Sequence, residues 1–168
     1  GGQDLHDELG QIFGLKSFLA GNSGSQSGGW FRKEIKTAQD LAGLRFRMPG
    51  LGGQVLGKLG VSVQNIPGGE LYQALSSGAL DGLEWVGPFA DERAGFQEVA
   101  KIYYTAGVHE PGSGLAMGMN LDVWNDLSDQ HKSIIDNATK ATTHYQLSQT
   151  LANNGAALSR LQAQGVQT

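Results

Sequence analysis

LRFRMPGLGGQVLGKLGVSVQNIPGGELYQALSSGALDGLEW, residues 44–85, changes its hydrophobic period again and again. Leu44, Phe46 and Met48 alternate with Arg45 and Arg47, so LRFRM reads as a strand with one apolar and one basic face. PGLGGQVLGKLG then reads as a glycine-rich helix, VSVQNI as a second strand, GGELYQALSSG as a helix stopping at Gly78, and LDGLEW as a third strand. Strands that alternate with short helices define an α/β class.

The flanking segments extend that reading. Upstream, residues 3–13 read as a helix with Leu5, Leu9 and Phe13 on one face, and LKSFLA (15–20) as a strand. GNSGSQSGG (21–29) is a polar Gly/Ser loop that contains Gln26, and WFRKEI (30–35) is half apolar and half charged. KTAQDLAG is a short helix with Thr37 as N-cap and Gly43 as its stop. Downstream, PFADERAGFQEVA reads as a helix with Pro88 in its first turn. KIYYTAG and SGLAMGMN read as strands, and NLDVWNDL as a short helix. The tail, about 128–163, reads as a long helix capped by Ser128. Its apolar stripe is Ile134, Ile135, Ala138, Ala141, Tyr145, Leu151, Leu158 and Leu161. A helix of that length often crosses between domains; a break at Asn153-Asn154-Gly155 is the alternative.

Composition removes several function classes. The 168 residues, 39% hydrophobic, suffice for a packed core. The formal charge is -4 with no basic run, so the footprint of a nucleic-acid binder is missing. Without cysteine there is no disulfide, thiol catalysis or Cys-based zinc site. No apolar run approaches the roughly 20 residues of a membrane-spanning helix. The chain starts without Met and ends directly after a helical pattern, so both ends read as cuts through a longer protein.

The glycines after Met48 invite a nucleotide reading that fails. Gly50 and Gly52 fit Gly-x-Gly-x-x-Gly, but Val55 stands at the third position. Gly52 and Gly57 fit P-loop spacing, but Leu59 follows Lys58 where Ser or Thr is required. Close packing of a helix on its sheet explains them better. The histidines at 6, 109, 131 and 144 lack zinc-ligand spacing, and no Gly-x-Ser-x-Gly elbow is present.

What remains is polar residues at strand ends. Arg47 ends a strand before a Pro-Gly turn, at the sheet edge where open α/β folds bind ligands. Its planar fork suits a small carboxylate. Glu84 and Trp85 end another strand, and Glu110 follows the next in the same way. Glu84 serves either as the salt-bridge partner of an Arg or as an oxygen donor to a hard cation, with the Trp85 carbonyl as a further ligand.

Taken together, residues 41–89, with GNSGSQSGGWFRKEI and the long late helix, resemble the DctP-type solute receptors of TRAP transporters. The resemblance implies a periplasmic-binding-protein-like α/β fold with a mixed sheet and a long C-terminal interdomain helix, here as a fragment of a two-lobe receptor. Residues 1–127 would form the ligand-binding lobe with hinge crossings, and 128–168 the helix spanning the lobes. GNSGSQSGGWFRKEI and LEWVGPF are similar to the subgroup for 2-oxo acids such as pyruvate, or lactate. In that subgroup Arg47 would pair with the ligand carboxylate. Gln26, Glu84, the Trp85 carbonyl and Glu110 would bind a sodium or calcium ion, with Gln26, Trp85 and Glu110 also bordering the ligand. His109 stands where a larger aromatic is expected, which bears on pocket width. The implied partners are a small carboxylate and a membrane permease, with no catalysis, a periplasmic location and a homodimer through the late helix as one arrangement. The alternatives are a receptor for dicarboxylates or sugar acids, and an α/β enzyme using Glu84 and Glu110 as acid and base.

Overall fold

The structure is a computed structural model that describes residues 2–168. The chain divides into two compact units, residues 1–24 with 112–151 and residues 25–111 with 152–168. In the first, helix α1 (Gln3–Ile12) leads into strand β1 (Leu15–Asn22), which pairs antiparallel with β7 (Gly114–Asn120). α1 leans on β1 through Gly10, where an added Cβ would meet Ser17 and the Leu15 carbonyl. That contact turns Leu5, Leu9 and Phe13, the expected core face, outward, at 60–70% exposure. Helix α5 (Leu121–Asp126) follows, capped by the Asn120 side chain.

The second unit holds a five-stranded sheet in the order β4-β3-β5-β2-β6. Its strands are β2 (Gly29–Phe31), β3 (Arg45–Arg47), β4 (Ser62–Gln64), β5 (Gly82–Leu83) and β6 (Ile102–Tyr104). β3 runs parallel to β4 and β5, while β2 is antiparallel to β5 and β6, so the sheet is mixed. The parallel connections carry α2 (Gly50–Lys58) and α3 (Leu71–Ser76), as parallel pairing demands of a crossover. Strand order reverses at β3, with β4 on one side and β5 on the other. Ligand crevices in open α/β sheets form outside the carboxyl ends of strands at such a reversal.

Side-chain alternation splits the core into two clusters. Phe31, Leu44, Phe46, Met48 and Val61 form one. Trp30, Leu71, Leu75, Leu80, Leu83, Phe96, Tyr103 and Leu161 belong to the other. The glycine-rich helix packs closely, as expected: a Cβ on Gly53 would run into the Met48 carbonyl oxygen and press on Val63. Gly53→Ala is therefore expected to cost about 1–3 kcal/mol, read as a lower urea midpoint at unchanged slope.

One expectation changes on contact with the structure, and two open readings close. WFRKEI contains a central strand, β2, that its mixed composition hides. The helix expected over 88–100 stops as α4 (Pro88–Ala94), because Gly95 takes a left-handed conformation (φ 77°) and a short 3-10 turn follows. The late helix α6 (Asp129–Ala163) runs unbroken through Asn153-Asn154-Gly155, with the Ser128 hydroxyl accepting from His131 N. Asn154 is used inside it, accepting from Phe89 N at 3.1 Å. Of its expected stripe, Leu161 is buried, but Ile134, Tyr145 and Leu151 are exposed, and Ala157 takes a buried place instead. Residues of α6 up to Leu151 belong to the first unit and those from Ala152 to the second.

Candidate functional site

All the candidate residues lie in the second unit. Gln26 sits in the loop before β2, Arg47 is the last residue of β3, Glu84 and Trp85 leave β5, and Glu110 follows β6. Backbone bonds hold these segments together. Glu84 N donates to Arg47 O at 3.1 Å, Gln26 N to Glu110 O at 3.3 Å, and Ser27 N to Val86 O at 3.0 Å.

Two groupings result. In the first, Arg47 Nη1 donates to Glu84 Oε1 at 2.6 Å and to the Glu84 carbonyl at 3.1 Å, while Nε reaches Ile66 O at 3.4 Å. Nη2 has no hydrogen-bond partner among the described residues. The other Glu84 oxygen lies 3.1 Å from His109 Nε2. Both ionic side chains are largely buried, Arg47 at 11% and Glu84 at 5% exposure. Burial pushes the Glu84 carboxyl up, against the His109 hydrogen bond and the Arg47 charge, and the nearby Glu110 adds to the rise. The salt-bridge role foreseen for Glu84 is thus present in the geometry.

In the second grouping, one end of the buried Gln26 amide lies 2.9 Å from the Trp85 carbonyl oxygen and 3.2 Å from Glu110 Oε2. With the nitrogen there, the amide donates to both. A half-turn about the amide brings its oxygen to the same place, and three oxygens then converge. A cation satisfies such a set, so the donors present fit a hard ion in the second orientation. Donor atoms of Glu84, His109 and Glu110 also lie within 4.8 Å of one another. The Trp85 ring lies against Gly68, edge-on to Phe96, with the Arg47 guanidinium 5.5 Å from its centroid.

Two features were hidden from sequence reasoning. His109 was singled out only for pocket width, yet it is the second partner of Glu84. Asp91 is fully buried behind the loops and accepts from Trp30, Tyr103, Val86 N and Gly87 N. The signal in sequence is an Asp in the first turn of a helix after Gly-Pro, where free backbone donors collect.

The profile of the DctP family, "Bacterial extracellular solute-binding protein, family 7", matches residues 1–168. The chain belongs to this family. Among its DctP relatives, a monocarboxylate 2-oxoacid-binding periplasmic protein of Nostoc sp. is 50% identical over 153 residues, 91% of this chain and 42% of that protein. A TRAP periplasmic solute-binding protein of Pseudoalteromonas atlantica, solved with sodium and pyruvate, is 45% identical with a TM-score of 0.90, over 97% of this chain and 49% of that one. One from Bordetella bronchiseptica, a mixed-occupancy dimer with copurified calcium and picolinate, is 39% identical with a TM-score of 0.95, over 99% of this chain and 50% of that one. The chain spans about half the length of these relatives.

Proposed function

We propose that the whole protein is the periplasmic solute receptor of a TRAP transporter, binding a small monocarboxylate together with a hard cation and handing it to a membrane permease after hinge closure. The observation that carries this reading is the Gln26 amide facing the Trp85 carbonyl and Glu110 Oε2, beside the buried Arg47. Arg47 would receive the carboxylate, with Nη2 as the available donor. Gln26, the Trp85 carbonyl, Glu110 and Glu84 would face the cation, sodium or calcium.

The ligands of the two solved relatives support a ligand class. Pyruvate carries a keto oxygen, and picolinate a ring nitrogen, on the carbon next to the carboxylate. Each offers two adjacent donors, which suits chelation of an ion. A cation and an anion that neutralise each other away from water bind cooperatively, each raising the other's affinity by the same factor. Calorimetry on the whole protein with pyruvate is therefore expected to show an affinity that rises with added sodium or calcium and falls on chelation. An affinity indifferent to both ions overturns the cation role. An acid/base pair from Glu84 and Glu110 has less support, since the family to which the chain belongs is one of solute-binding proteins.

A further inference from the structure

Behind the converging oxygens lies a buried polar cluster that supplies none of them. Asp91 Oδ1 accepts from Val86 N at 3.1 Å and Gly87 N at 2.9 Å. Its Oδ2 accepts from Trp30 Nε1 at 3.0 Å and lies 3.1 Å from the Tyr103 hydroxyl, which is 2.7 Å from Ser27 Oγ. A carboxylate only accepts, so the single phenolic proton goes to Asp91 and the Ser27 hydroxyl donates to the phenol oxygen. Ser27 follows Gln26, Val86 follows Trp85, and Ser27 N donates to Val86 O.

We propose that Asp91 is a positioning residue for the cation. Its two oxygens grip the loop behind the Trp85 carbonyl and, through Tyr103 and Ser27, the loop behind the Gln26 amide. The inference rests on the cation reading above. A carboxylate serving packing alone is a poor choice here: burial pushes it up to about 6 in spite of its donors, and that cost persists while its bonds hold the loops. The arrangement matches the logic of outer-shell partners in metal sites, which fix the orientation of ligands they do not replace.

The test compares Asp91→Asn and Tyr103→Phe in the whole protein, by calorimetric titration with sodium and with calcium, and by hydrogen exchange of the Val86 and Gly87 amides without cation. An Asn keeps one accepting oxygen, so one of the two donor pairs would face an NH2 group. Asp91→Asn is expected to lower cation affinity about tenfold or more, and to let the two amides exchange faster than the core. Tyr103→Phe cuts only the Ser27 branch and is expected to give a smaller loss with the amides still protected. Leu75→Ala, in the core of α3, lowers stability and leaves cation affinity unchanged. Unchanged affinity and protection in Asp91→Asn overturns the proposal; if that variant does not fold, unchanged affinity in Tyr103→Phe does so. Gln26→Ala separates the two readings. A loss there without a loss in Asp91→Asn sinks only the positioning role, and no loss in either sinks the cation site itself.

Discussion

Replacing Arg47 with Ala is expected to lower the affinity of the whole protein for pyruvate by about 2–5 kcal/mol. The geometry sets two separate costs. Arg47 Nη1 is 2.6 Å from Glu84 Oε1, and Glu84 is only 5% exposed, so the substitution leaves a buried carboxylate without its cation. Breaking such a pair costs about 3–5 kcal/mol of stability. Loss of the donor to the ligand is the second cost, and it appears only in binding. The two separate when Arg47→Met and Glu84→Leu are combined. Apolar replacement of both partners recovers most of the stability, since a buried ion pair contributes little net. Affinity stays lost if Arg47 holds the ligand or Glu84 faces the cation, and cation titration of Glu84→Leu alone tells the two apart. Urea melts and calorimetry on the single and double variants form the cycle. If the double variant binds pyruvate as the wild type does, Arg47 is a salt-bridge residue and no more. Arg47→Lys does not rescue, because an ammonium cannot grip two acceptors in one plane.

How far the sequence reaches can be judged from particular elements. β3, α2, β4, α3 and β5 were legible because each period change falls at a Gly or Pro, and the runs around β3 and β4 alternate apolar with polar residues. β2 was not, since Trp30 and Phe31 are both buried side by side, the strand begins at a glycine with φ 113° and it runs straight into charged residues. Two adjacent apolar residues with no alternation around them carry no period to read. α4 was read too long because an isolated Gly inside a helical pattern can be tolerated, and only its left-handed conformation at Gly95 makes it a stop. The outward faces of α1 and α6 show the limit of amphipathic reasoning: periodicity marks an apolar stripe but not what lies against it. At the site, Arg47 and Glu84 were found as polar residues at strand ends, a position that topology makes meaningful; Glu110, expected at the end of a strand, lies in the loop between β6 and β7. The Asp91 cluster joins residues 27, 30, 91 and 103, and no local spacing links them.

Gln26→Glu gives the sharpest reading of the oxygen cluster, because its effect is expected to change sign with the cation. The amide end of Gln26 lies 2.9 Å from the Trp85 carbonyl and 3.2 Å from Glu110 Oε2. As an amide it turns its nitrogen to both and satisfies them. A carboxylate has only acceptors to present, so without a cation it sets negative oxygen against negative oxygen in a buried place. That is expected to cost about 3–5 kcal/mol of stability in the chelated protein, the cost of an uncompensated buried charge. Calcium should reverse it. An added carboxylate raises the charge count of a hard-cation site and its affinity with it, so calcium at about 1,000 times the variant's Kd stabilises the variant by about 4 kcal/mol and the more weakly binding wild type by less. The variant should therefore melt well below the wild type in chelator and approach or pass it in calcium. Sodium, with one charge, should restore less, which would shift the preference of the site toward the divalent ion. Melting curves in chelator, sodium and calcium read all three arms. A variant destabilised equally in all of them means that the three oxygen positions enclose a hydrogen-bonded amide and no ion.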